Sequence, residues 1–461
     1  MAQRAARNRG GFIVAGGITV AALLTAAIVI ALASGSPDAS TAMLITPILI
    51  LVSLPILARR ARLDGDRRLF WLLVAALLLK LVGSLVRYYV AFDVYGGVAD
   101  AAGYHDYGSS IADRFRDGVF DTGLPDLTGT NFIRFFTGIV YTVIGSSSLG
   151  GFLVFSWIGF WGLYWFYRAY TVAVPEGRSW TYAKLVLFLP SLIYWPSSVG
   201  KEAWMVFCLG LAAFGAARLM TGRNWRGLLL AGLGMLGAAQ VRPHVAGLVG
   251  LALVAGYVVR PARIGHQNFA MLGKFVGVAA AAVLALILVQ RTDEFLEQSA
   301  IETRQGVAGV IEQTAERTSI GGSQFQPSIL ENPARAPIAI PTILFRPFIL
   351  EAENFQTLAA AIETTFLLVL ALARFRWGLH ALRTMRRQPY VAFALVYVGL
   401  FIVAFSGIAN FGLLARERVQ MLPFFLIFLT IPPPARRDEG RPAEVAELEA
   451  VRRQKIRAGR D

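Results

Sequence analysis

The sequence predicts an all-α polytopic membrane protein with about twelve transmembrane helices. Hydrophobic residues make up 56% of the 461 positions, charged residues make up only 16%, and the mean hydropathy is +0.57. Soluble domains contain fewer apolar and more charged residues. Apolar runs long enough to cross the hydrocarbon core as a helix recur along the whole chain. A membrane β-barrel would instead show alternating segments of about ten residues.

The apolar runs that we interpret as spans lie near residues 11–34, 41–58, 69–92, 149–172, 181–197, 202–220, 226–241, 243–260, 267–290, 353–373, 388–408 and 414–432. Residues 1–434 therefore form one transmembrane domain, with long outer loops near 93–148 and 291–352, and a polar tail follows at 435–461. The first run follows three arginines and is too long for the apolar part of a signal peptide. We interpret it as a retained anchor helix.

The basic residues predict the orientation, because Lys and Arg concentrate in cytoplasmic loops. With a cytoplasmic N-terminus and alternating sides, the inside segments hold more than twice as many Lys and Arg as the longer outside segments. We therefore expect both termini in the cytoplasm, and the abundance of Ala, Arg and Gly favours a bacterial plasma membrane. The net charge of +15 suits anionic membrane lipids, and no nucleic-acid partner is expected.

One further apolar segment, residues 133–146, is too short for a comfortable span. Counting it as a span would also place the later arginine-rich loops outside. We therefore expect a re-entrant or interfacial helix in the first long outer loop. The single cysteine, Cys208, lies in an apolar run and excludes a disulfide framework within the chain.

The unusual polar residues fall at one predicted membrane depth, the outer face, although they are far apart in the sequence. Ionisable groups at this depth are costly unless they face a wet cavity or one another, so their convergence predicts a functional site. The candidate site residues are Asp100, His105, Asp106, Lys201, Glu202, Arg242, His244, Arg346, Arg416 and Arg418.

The acidic candidates follow the third predicted span directly. Asp100 or Asp106 could accept a proton from a substrate hydroxyl as a general base. Alternatively, these two residues and His105 could bind a divalent cation, although the ligands are few and closely spaced, and we assign no metal site. A helix cap or a polar loop is the structural alternative for the same residues.

The basic candidates suit an anionic ligand. A lysine such as Lys201 binds phosphate as a point charge, and arginine binds phosphate or carboxylate through two nitrogen atoms. The structural alternative is interfacial snorkelling or an ion pair with a neighbouring glutamate. Within the membrane we expect Lys80 to face the bundle interior, with Glu363 as its partner.

Three short motifs resemble the polytopic GT-C glycosyltransferases. They are Asp-Ala-x-x-Tyr-His at residues 100–105, Pro-Ser-x-x-x-Trp-x-Ser-x-x-x-Lys-Glu at 190–202 and Arg-x-Arg-x-x-x-x-Pro at 416–423. The resemblance implies interfacial helices in the first outer loop, a polyprenyl-phosphate-linked sugar donor, a lipid or glycan acceptor and transfer with inversion outside the cytoplasm. Many members of this superfamily carry a C-terminal soluble domain or a second acidic motif, and this chain has neither.

The resemblance also implies roles for individual residues. Asp100 matches the acidic residue that acts as base on the acceptor hydroxyl, and Asp106 is the second match. Basic residues would neutralise the departing lipid phosphate, and the candidates are Lys201, Arg242, Arg346, Arg416 and Arg418.

Two other functions stay open from the sequence. A polymerase of glycan repeat units linked to a lipid diphosphate, acting in the outer leaflet, would present the same outer loops and cations. A lipid or solute transporter is less favoured, because transporters place their polar groups near the bilayer midplane and often have two similar halves.

Overall fold

The computed structural model describes residues 36–97, 100–222, 224–260, 323–325 and 336–434. These residues are mostly helical and contain no β-strand, so the all-α prediction is confirmed for them. The predicted spans near 11–34 and 267–290, most of the second outer loop and the polar tail lie outside the described residues.

We number the described α-helices in chain order. They are α1 (Pro37–Leu63), α2 (Arg67–Tyr89), α3 (Asp100–Arg116), α4 (Gly129–Ile144), α5 (Ser148–Ala173), α6 (Ser179–Phe188), α7 (Pro190–Tyr194), α8 (Lys201–Met220), α9 (Asn224–Val241), α10 (Pro243–Val259), α11 (Ala336–Phe345), α12 (Phe355–Ala373), α13 (Phe375–Thr384), α14 (Pro389–Ala404), α15 (Phe411–Arg418) and α16 (Leu422–Phe428). A π-helical turn at Val90–Val94 extends α2, and short 3₁₀ turns occur at Trp195–Ser197 and Ile349–Glu351.

Five of the described helices are long and apolar enough to cross a membrane: α1, α2, α5, α8 and α12. The pair α13 and α14 is bent by 114° and would make a sixth span if its two helices counted as one. The apolar helix α10 is shorter, at 17 residues. The predicted count of about twelve spans is therefore not confirmed.

Two predicted spans differ from the structure because their helices are broken. The run at 181–197 divides into α6 and α7, since Leu189 adopts an extended conformation before Pro190, as residues preceding proline generally do. The run at 414–432 divides into α15 and α16, with Pro423 in the first turn of the second helix. Neither run forms one continuous helix.

The core of the bundle is the contact between α5 and α8. A Cβ atom at Gly210 would lie 2.2 Å from the backbone oxygen of Gly162, so the two helices approach each other at glycine. Small residues permit such close approach between membrane helices, where van der Waals packing replaces the hydrophobic effect. This contact fixes the position of α8, whose first turn carries Lys201 and Glu202.

The predicted interfacial segment forms α4, which packs against α3. The backbones approach closely, because a Cβ atom at Gly108 would lie 2.5 Å from the Thr137 side chain. The His105 and Tyr141 side chains connect the same two helices. At 16 residues, α4 is short for a span, as expected.

Segments that are distant in the sequence contact each other at both ends of the helix bundle. At one end, the side chains of Ser148 and Asp38 are 3.0 Å apart in a hydrogen bond. At the other end, Gln388 donates to Glu176 at 3.0 Å. Segments that the charge pattern assigns to one side of the membrane therefore contact each other.

Candidate functional site

The site is built around the broken segment between α6 and α8. Lys80 of α2 is buried, and its ammonium donates to the backbone carbonyls of Leu192 at 3.0 Å and Ile193 at 2.9 Å. Buried carbonyls need donors where a helix is interrupted. Lys80 therefore stabilises the break.

Glu363 of α12 binds the same segment from another side. Its carboxylate accepts a hydrogen bond from the backbone N–H of Ser191 at 2.6 Å and a second from the Ser191 hydroxyl. The expected pairing of Lys80 with Glu363 is thus wrong. Each residue instead binds backbone groups that the helix break leaves unsatisfied, and together they hold the chain that leads into α8.

Four charged residues predicted from the sequence are joined in one network. Arg416 donates to Glu202 at 2.6 Å and to Asp100 at 2.9 Å. Arg242 donates to Glu202 at 3.3 Å and to Glu417 at 2.6 Å. Ion pairs therefore join the neighbouring ends of α3, α8, α9 and α15.

Burial differs sharply along the network. The side chains of Glu202, Arg242, Glu417 and Arg416 are only 5 to 18% exposed, whereas the Asp100 side chain is 62% exposed. The four buried groups have their partners within the protein. Asp100 is the member of the network that a substrate can reach.

The formal charges of the network do not cancel, because three carboxylates face two guanidinium groups. Lys201 lies beside it, within electrostatic range of Arg242, Glu202, Arg416 and Asp100. Within the described ranges, its ammonium forms no hydrogen bond or ion pair. The Lys201 ammonium is thus unpaired among the described residues, and it stands outside the lining of the neighbouring cavity.

A cavity of about 290 Å³ opens at the exposed end of the network. Its charged lining consists of Arg87, Asp100, Glu202 and Arg416. This volume lies near the lower end of the range for small-molecule pockets. The cavity therefore places an exposed carboxylate and two cations around a space suited to a small polar ligand.

Arg87 is a site residue to which the sequence pattern assigned no role. Its guanidinium donates to the Tyr194 hydroxyl at 3.0 Å and lies 4.9 Å and 5.0 Å from the ring centroids of Tyr194 and Trp195. Its Nε atom has no hydrogen-bond partner in the described part of the chain. The sequence does contain one signal for this role, because Arg87 is an isolated arginine near the predicted outer end of an apolar span.

The aromatic lining of the cavity comes from Tyr95, Tyr104 and Trp195. Burial, together with the negative charges of Glu202 and Asp100, raises the pKa of Tyr104 to about 12. Tyr104 therefore keeps its proton at neutral pH and serves as a hydrogen-bonding group. This leaves the carboxylate of Asp100 as the accessible proton acceptor of the lining.

The other candidates on α3 lie away from the cavity. Asp106 is exposed and stands six positions after Asp100, which places it on a different face of the helix. The ring of His105 hydrogen-bonds the Tyr141 hydroxyl at 2.9 Å. No group of three His, Cys, Asp or Glu residues in the described ranges is arranged to hold a metal ion.

Arg346 and Arg418 form a second cluster. Glu351 accepts hydrogen bonds from Arg346 at 2.8 and 3.1 Å, and the guanidinium lies 4.7 Å and 5.2 Å from the ring centroids of Phe325 and Phe411. Arg418 is buried and donates to the Arg346 carbonyl. Neither arginine lines the cavity.

His244 follows Arg242 at the start of α10, and its ring packs 6.1 Å from that of Phe405. It lies outside the cavity lining as well.

The chain matches no family model, no curated protein and no solved structure. The function of the cavity is therefore inferred from its chemistry.

Proposed function

We propose that the protein is a membrane glycosyltransferase that moves a sugar from a polyprenyl-phosphate donor to a hydroxyl acceptor, with inversion at the anomeric carbon. The observation that carries the proposal is the exposed Asp100 carboxylate, held 2.9 Å from Arg416 at a cavity that Arg87 also lines. A general base and cations for a phosphate leaving group thus share one small space.

Asp100 acts as the general base in this mechanism. The acceptor oxygen attacks the anomeric carbon while the bond from that carbon to the phosphate oxygen breaks. The electron pair of that bond leaves on the phosphate, and the hydroxyl proton passes to Asp100. Because Arg416 binds Oδ2, Oδ1 is free to accept the proton. Glu202 also accepts a hydrogen bond from Arg416 at 2.6 Å, which fixes the guanidinium beside Asp100.

The cations stabilise the leaving group. Negative charge develops on the lipid phosphate as the bond to the sugar breaks, and preplaced donors in a partly dry site stabilise such charge most effectively. Arg87 lines the cavity with its guanidinium. Lys201 lies beside the network but outside the cavity lining, and its ammonium pairs with no described acidic group. Arg242 supports them indirectly, because its bonds to Glu202 and Glu417 hold the network together.

The dimensions of the cavity favour one sugar ring. Its volume of about 290 Å³ is small for an oligosaccharide. Tyr104 and Trp195 offer aromatic surfaces with polar atoms at their edges, which suits a ring with both apolar C–H and hydroxyl groups. The substrate class expected is therefore a single sugar on a lipid phosphate.

The reaction would take place on the outer face of a bacterial plasma membrane, with both termini of the protein in the cytoplasm. The distribution of Lys and Arg supports the orientation. The five or six candidate spans support the membrane location. The site lies at the helix ends that this orientation assigns to the outside.

The test is a reconstituted assay of wild type, Asp100→Asn and the matched control Asp106→Asn on the same helix. Monophosphate-linked and diphosphate-linked polyprenyl sugars are supplied separately. We expect transfer from the monophosphate donor, a loss of about 10²-fold or more in Asp100→Asn and near-normal rates in Asp106→Asn. Thermal unfolding verifies that both variants fold.

Three results would overturn parts of this proposal. Full activity in folded Asp100→Asn would remove the base assignment. Activity with diphosphate donors alone would support the glycan polymerase instead. No transfer from either donor class would remove the enzymatic proposal, and binding of unmodified lipid would then be tested.

A further inference from the structure

A second cavity, of about 660 Å³, lies at the opposite end of the helices from the site. It is a groove between the starts of α2 and α6, lined by Asp66, Arg68, Leu72, Trp180 and Lys184. Arg68 and Leu72 are four residues apart, as are Trp180 and Lys184, so each helix presents one face to the groove.

The acidic residue of the groove is engaged by the protein itself. Asp66 accepts a hydrogen bond from the backbone N–H of Arg68 at 2.9 Å, which caps α2, and another from the Trp180 indole at 3.0 Å. Arg68 and Lys184 form no ion pair with any described residue. Two exposed cations therefore face a groove whose single carboxylate already has two donors.

The remaining features of the groove also suit a phosphate attached to a lipid. Both helices begin here, and the N-terminal ends of helices favour anions. Leu72 provides an apolar wall one turn deeper than Arg68, and tryptophan is typical of the membrane–water interface. An ion in water would use only the cations, whereas a lipid would also use the apolar wall.

We propose that this groove binds the headgroup of an anionic phospholipid, with the phosphate between Arg68 and Lys184 and an acyl chain beside Leu72. Basic pockets between membrane helices on the cytoplasmic side bind such headgroups. This inference concerns a different end of the molecule from the sugar-transfer site and does not depend on the proposed reaction.

The competing model is a general attraction between basic loops and anionic lipid. The same end of the molecule carries the exposed arginines Arg383 and Arg386, which lie outside the groove. These residues give a matched control, because removing them changes the charge by the same amount without altering the groove.

The experiment compares Arg68→Gln/Lys184→Gln with Arg383→Gln/Arg386→Gln by native mass spectrometry. Detergent-purified full-length protein is titrated with phosphatidylglycerol, and phosphatidylethanolamine serves as the lipid without net charge. We expect the groove variant to bind phosphatidylglycerol on the order of tenfold more weakly than wild type, and the control variant to bind it as wild type does.

Two further arms distinguish a lipid site from a misfolded variant and from a site for free phosphate. The charge-conserving variant Arg68→Lys/Lys184→Arg should restore most of the binding, which also shows that the groove tolerates substitution at both positions. Glycerol phosphate in excess should compete weakly, because it lacks the acyl chain. Three results would overturn the proposal. The groove and control variants could lose phosphatidylglycerol binding equally, or the groove variant could bind it as wild type does. Glycerol phosphate could also compete fully.

Discussion

Arg416 and Glu202 are joined by a hydrogen bond of 2.6 Å although 214 positions separate them in the chain. Glu202 lies in the first turn of α8, and Arg416 lies in the last turn of α15. The same guanidinium also binds Asp100 at the start of α3. One arginine therefore connects the buried ion pairs to the carboxylate at the cavity.

The network predicts effects of different size on stability for two of its three carboxylates, Glu202 and Asp100. Glu202→Gln should lower the stability by about 3 kcal/mol, because it removes the buried negative charge that Arg242 and Arg416 share. Asp100→Asn should change stability by less than about 1 kcal/mol, since the exposed pair with Arg416 is screened by water. Thermal unfolding in detergent measures both. Similar losses in the two variants would contradict the contrast in burial.

The glycine contact between α5 and α8 gives a second prediction. Gly210→Ala should destabilise the protein by about 1–3 kcal/mol, because the new methyl group meets the Gly162 backbone and forces the helices apart. The matched control is Gly399→Ala in α14, where a Cβ atom would have open space. That substitution should be neutral or stabilise the helix by up to about 1 kcal/mol. Equal melting temperatures for the two variants would show that α5 and α8 tolerate separation.

The Arg346 and Glu351 pair predicts a dependence of stability on pH. Burial alone would raise the pKa of Glu351, but hydrogen bonds from the Arg346 side chain and the Phe348 N–H lower it below its ordinary value of 4.5. The stabilisation is therefore complete above about pH 4.5 and is lost as the pH falls through the lowered pKa. Because Glu351 is about a quarter exposed, the effect should be about 1 kcal/mol.

The measurement for this pair is the melting temperature of wild type and Glu351→Gln between pH 3 and pH 7. The difference between them should shrink as the pH falls below about 4.5. Glu353→Gln, two positions away, is the control and should follow wild type at every pH. A constant difference between wild type and Glu351→Gln would show that ionisation of this carboxyl does not contribute.

The predicted orientation can be tested with single cysteines. The native Cys208 is buried, so its background labelling should be low. A membrane-impermeant maleimide should label Asp117→Cys, which follows α3, in intact cells. It should label Arg387→Cys, which lies between α13 and α14, only after the cells are permeabilised. The reverse pattern would invert the orientation. Equal labelling of both positions would contradict the division into two ends.

The helical class and the grouping of polar residues at one face follow from the amino-acid sequence without any coordinates. Long apolar runs leave the backbone no partners in lipid except within a helix, so their length predicts α1, α2, α5, α8 and α12. Alternation of the spans then brings Asp100, Glu202, Arg242 and Arg416 to one end. These inferences hold because both depend only on local composition and chain order.

Which of these residues act together depends on the tertiary structure. Arg346 and Arg416 look alike in the sequence, yet Arg346 binds Glu351, five positions away, whereas Arg416 binds Asp100 and Glu202 from distant helices. The position of Arg87 in the cavity wall likewise emerges only in the tertiary structure. Pairing, burial and cavity shape depend on the separation of side chains in space, and hydrophobic periodicity does not encode those distances.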